Sequence, residues 1–168
     1  MKKSIYIIAL TFVSIVYTSC TSSEPKPEEL AVKQTFALLQ QMDSISQSEF
    51  NSYFISLDEL REIAKDTSIS KTFRNAVTNV SKDIHDKRLH QSYDMIKESG
   101  KRFKIDWKGI TFREYPFVMR DEDGITLQDG FVAFDYKEKK FVTKIVSIKF
   151  KNEQRLFNLS NIEPVRKQ

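Results

Sequence analysis

Few residues in this 168-residue chain are of a type that does chemistry, and their spacing limits what they can do. There are two histidines, His85 and His90, and one cysteine, Cys20. A metal-binding pair on a helix needs imidazoles four residues apart, so that both face one way. A separation of five sets them about 140° apart around the axis, so "DIHDKRLH" reads as a solvated helix surface and no metal site is expected. "RDEDGITLQD", residues 120–129, offers Asp121, Asp123 and Gly124 at the spacing of a calcium loop. The glutamate that closes such a loop would fall at Val132, so the stretch reads as a polar hairpin turn. No glycine-rich phosphate loop, GxSxG elbow or CxxC occurs, and four glycines leave little to build one from.

Cys20 follows "MKKSIYIIALTFVSIVYTS". Lys2 and Lys3 give a positive start, and the apolar run from Ile5 to Tyr17 is too short for a hydrocarbon core, which needs about 20 helical residues. It has the length of the apolar part of a secretory signal. A lone thiol in an exported chain has no internal disulfide partner. Thr18, Ser19 and Cys20 resemble the lipobox of bacterial lipoproteins, with Tyr17 where that family usually carries an aliphatic residue. The resemblance implies a signal peptide over 1–19, a covalent lipid on Cys20 and no other cofactor. It also implies attachment to a membrane of the cell envelope. Thr21 lacks the aspartate that holds some members at the inner membrane, so the outer membrane is expected. Ser, Pro and Glu after Cys20 cannot bury enough apolar surface to order themselves, so 20–27 reads as a tether.

What remains, 28–168, is the size of one domain. Thirteen Phe, six Tyr and one Trp argue for a packed body. The chain has 27 basic and 23 acidic residues, and two of the positives sit in the leader. A near-neutral domain gives no reason to expect nucleic acid. The aromatic and basic interleaving of "FDYKEKKFVTKIVSIKF" fits alternation in a half-buried sheet rather than an exposed stacking platform.

Three helical regions precede the strands. Glu28–Met42 sets Val32, Phe36 and Leu39 on one stripe. Phe50, Tyr53, Phe54 and Leu57 suggest a short helix, and "SLDE" at 56–59 is a capping box opening the next turns. From Ser70, the residues Phe73, Val77, Val80 and Ile84 keep helical spacing, with a slip around 84–88 and Gly100 as a terminator. After Gly100 about four β-rich segments follow, with "DEDG", "KEK" and "KNEQ" between them as turns. Pro116 points to an edge or bulge. Val142, Val146, Ile148 and Phe150 share one face. The expected fold is α+β, with three N-terminal helical regions packed on one face of a twisted antiparallel meander.

That element order, with "GKRFKIDWKGITF" at the junction and "NLSNIEPV" at the close, resembles small lipoproteins with NTF2-like or cystatin-like domains. The resemblance implies a cone that holds a small molecule, an active site or nothing. The pocket residues it points to are Asp106, Trp107 and Tyr115. The expected function is non-catalytic binding of an envelope protein or a small apolar ligand. The alternatives are a cone-pocket hydrolase or isomerase using Asp106 or another carboxylate as base, and a purely structural envelope subunit. A buried carboxylate with a raised pKa would mark the enzyme.

Overall fold

The computed structural model describes residues 27–165, and their side chains from 31 onward. The leader, Cys20 and most of the tether lie outside the described residues. Five α-helices come first: α1 (Pro27–Gln40), α2 (Gln47–Asn51), α3 (Leu57–Ile63), α4 (Lys71–Asn79) and α5 (Lys82–Phe103). A 3-10 turn at Trp107–Gly109 leads to β1 (Thr111–Glu114), β2 (Phe117–Glu122), β3 (Ile125–Tyr136), β4 (Lys139–Phe150), β5 (Glu153–Leu159) and β6 (Glu163–Pro164). All strand pairings are antiparallel, and the sheet is an open meander. The α+β architecture follows the sequence reading.

The helices start where side chains can satisfy their free N–H groups. Ser56 and Glu59 form the expected capping box, and Ser46 and Glu49 form a second that opens α2. Ser70 caps α4 as expected. Its neighbour differs from expectation: the break falls at Val80–Ser81, where Ser81 caps α5, and not at 84–88. Gly100 is not a terminator either, because α5 runs on to Phe103 and ends on Lys104 in the left-handed conformation (φ 53°). Gly100 instead admits the Trp107 indole. A Cβ there would sit 2.6 Å from the ring, closer than any real contact.

β1 and β2 are one edge broken at Tyr115–Pro116, and both pair with β3. A bulge between Phe112 and Glu114 adds to the bend. The β2–β3 turn has Asp123 and Gly124 both at positive φ (59° and 81°), the I′ geometry that matches strand twist. It docks on the loop before α4, where Ser70 N–H donates to the Asp123 carbonyl (2.8 Å).

Cross-strand partners share a face, so the register separates two apolar stripes. Val132, Phe134, Phe141 and Ile145 lie on the first face, packed with Leu38, Leu39 and Met42 of α1 and Ile96 of α5. Leu127, Val146, Ile148 and Phe150 lie on the second, where Ile148 and Leu127 meet Leu60 of α3 and Val77 of α4. Val142, Val146, Ile148 and Phe150 do share a face as expected. It is not the face of Phe134, and helices contact both faces instead of one. Each fully buried Leu, Ile or Phe stabilises the fold by about 1.5–3 kcal/mol relative to exposure.

Candidate functional site: a cavity on the second face

Where the second face is not filled, a cavity of about 660 Å³ remains. Its sheet wall is Ile125, Leu127, Val146 and Ile148, with Phe157 of β5 beside them. Leu57 and Leu60 of α3, Phe73 and Val77 of α4, and Leu89 and Met95 of α5 complete the apolar lining. The break at Val80–Ser81 makes this space. It lets α4 and α5 diverge, so that α4 closes on the sheet through Val77 while α5 reaches the first core through Leu89 and Ile96.

Ser92, buried at 7% exposure, and His85 are the covered polar residues of the lining; the others lie toward the mouth. Arg88, Gln91, Arg120, Glu122 and Asn158 line the cavity and are all exposed. Arg120 lies 3.4 Å from Glu122 and 3.2 Å from Asp129, and Asp129 also pairs with Lys144 at 3.2 Å. This is a charged row across β2, β3 and β4. His85 is different: its side chain is only 13% exposed, so it is not the solvated surface residue expected. Its Nε2 donates to the Ile55 carbonyl at 3.2 Å, which ties α5 to the segment before α3. His90 lies elsewhere, with Nδ1 on Gln47 Oε1 (2.7 Å) and Nε2 near Asp94 (3.3 Å).

The three residues singled out from the sequence occupy other places. Asp106 is exposed and caps the 3-10 turn, its Oδ1 accepting from Lys108 N–H at 3.1 Å. Trp107 is a core residue, 2% exposed, with its backbone N–H donating to Asp43 and its ring 6.4 Å from Phe134. Tyr115 is half-buried and stacks on Phe117 at 5.3 Å. Its hydroxyl is buried without a hydrogen-bond partner. Burial first, then the Asp129 charge, pushes its pKa above the ordinary 10. None of the three lines the cavity.

The chain finds no match among protein-family models, curated proteins or solved structures.

Among the described residues, no cluster of three His, Cys, Asp or Glu has the geometry to hold a metal ion. No described helix is long and apolar enough to cross a membrane. No described Asp or Glu is fully buried; the best-covered carboxylate, Asp129 (side chain 15% exposed), pairs with Arg120 and Lys144. The cavity can therefore withdraw apolar surface from water and orient a polar end at its mouth. Its lining offers no nucleophile joined to a base.

Sequence reasoning missed the cavity because its wall comes from six separated elements. The one available signal was a second apolar stripe on β4 that a single helical layer would have left without use.

Proposed function

We propose that this chain is a lipid-anchored, non-catalytic protein of the bacterial cell envelope whose domain holds a small apolar ligand. The observation that carries the ligand half is the cavity itself: about 660 Å³, within the roughly 300–1,000 Å³ common for small-molecule sites, with apolar walls and a polar mouth. A pocket of this kind favours a small molecule over a partner protein as its occupant. The long helix preceding a bent meander supports an NTF2-like or cystatin-like kinship. The anchor half rests on Lys2, Lys3, the apolar run and Cys20, and Thr21 in place of a retaining aspartate favours the outer membrane over the inner.

The test is the native mass of the mature protein released gently from its own envelope. A discrete added mass, lost in Val146→Phe, is the expected result. A bare lipidated chain in every preparation would overturn the ligand reading. For the anchor, Cys20→Ser should leave the precursor unprocessed and without lipid; normal processing and membrane retention would overturn that half.

A further inference from the structure

The sheet has two edges, and the fold treats them differently. At β5, residues 53–55 run alongside in parallel: Ile55 N–H donates to the Leu156 carbonyl (2.7 Å) and Leu156 N–H to the Tyr53 carbonyl (3.3 Å). At the opposite edge β2 pairs with β3 on one side, and no described segment pairs with its other side. All six β2 residues are exposed, and three consecutive large apolar ones, Phe117, Val118 and Met119, are 42%, 59% and 44% exposed. An open apolar edge is a template for another strand.

The hydrogen-bond phase of that edge follows from one contact. Phe131 N–H donates to the Pro116 carbonyl at 3.0 Å, in register with the β2–β3 ladder. Hydrogen-bonded pairs alternate in an antiparallel ladder. Val118, Arg120 and Glu122 therefore turn their N–H and C=O groups toward β3, and Phe117, Met119 and Asp121 turn theirs outward.

We propose that two copies of this chain pair through β2, antiparallel, about a two-fold axis at Met119. In that register Met119 faces its own copy, Phe117 faces Asp121, and every outward group of one strand meets an outward group of the other. The contact is isologous, as a two-fold requires. A register centred on Arg120 would oppose two guanidiniums directly. Centred on Met119, the two Arg120 residues lie diagonally, each held by Glu122 and Asp129 of its own copy. A contact built on one six-residue strand falls below the roughly 1,200 Å² of stable interfaces, so the dimer is weak in solution and forms where copies are crowded.

Sedimentation of the full chain over a concentration series should give a reversible monomer–dimer equilibrium. Met119→Lys should weaken it by about tenfold or more through opposed charges. A chain monomeric at every concentration, or a dimer indifferent to Met119→Lys, overturns the proposal. The register has its own readout in a Cys20→Ser background. Mild oxidation should cross-link Met119→Cys strongly and Val118→Cys weakly. The reverse order overturns pairing about Met119, and neither result depends on how the cavity is occupied.

Discussion

Ile145 and Val146 are neighbours on β4, yet one is fully buried and the other is half-buried on the cavity wall. The two faces of the sheet carry similar apolar residues and end in different states. On the first, Phe134 and Phe141 stack at 5.7 Å, Phe103 packs on Phe141, and Trp107 fills the notch at Gly100. On the second, Phe131 and Phe157 remain 45% and 38% exposed, whereas on the first such exposure is confined to the β1–β2 edge, at Phe112, Phe117 and Met119. The difference lies in the helices. α1 and α5 lay continuous apolar stripes on the first face, whereas α3 and α4 are short and cover only the end of the second. Strand composition decides that a face is apolar; the length and breaks of the opposing helices decide whether it is filled.

Substitutions can break this contrast. The largest effect is expected at Phe134, 0% exposed in the first core. Phe134→Ala should cost about 3–5 kcal/mol in denaturant unfolding, and a loss near 1 kcal/mol would mean the first face is as loose as the second. Gly100→Ala comes next. Helix propensity alone favours alanine by about 0.5–1 kcal/mol, but the collision with Trp107 should turn this into a net loss of about 1–3 kcal/mol. A stabilised variant would show the notch to be roomy. Val146→Phe adds bulk on the cavity side and should change stability by less than about 1 kcal/mol; a loss as large as that of Gly100→Ala would remove the distinction between the faces.

The smallest effect concerns acid. The Glu49 carboxyl is held below its ordinary 4.5, first by the Ser46 N–H and then by the Ser46 hydroxyl. A carboxyl with a lowered folded pKa stabilises the fold above its unfolded pKa, and that contribution is lost as pH falls through the folded value. Glu49→Gln should therefore slightly flatten the fall in thermal midpoint below about pH 4.5. Glu62, Asp66 and Asp86 are lowered too, by Lys65, Ser68 and Lys82 respectively, so most of the slope should remain. A completely flat acid limb in the single variant would contradict this.

Local chemistry made much of the fold legible. Two-residue turns, alternating apolar residues and the Ser56–Glu59 box each act within a few positions, and each was readable. The second box, "SQSE" at 46–49, carries the same signal directly ahead of the apolar run from Phe50. The α4–α5 break was misplaced for a physical reason: Val80 keeps helical spacing with Val77 and Ile84 although it is itself extended (ψ 120°). The reason for Gly100 lies across space, in an indole seven residues on, and no local pattern announces it. Of the site, Cys20 was read from sequence alone and lies outside the described residues. Asp106, Trp107 and Tyr115 follow from the resemblance to a cone fold, and a cavity wall assembled from distant elements has no linear pattern to find.

The pairing of residues 53–55 with β5 also sets an order of events during synthesis. Arg155 and Ser52, joined at 3.3 Å, are 103 positions apart, and contacts of such separation are slow to form. The strand that receives the early segment is therefore translated about a hundred positions after it. Until then α2 and α3 have no β5 edge to close against, and Phe54 lacks its Leu156 partner. The domain thus cannot mature piecemeal from its first residue. Its early helices wait for β5, and a chain halted before Glu153 should leave that pairing unmade.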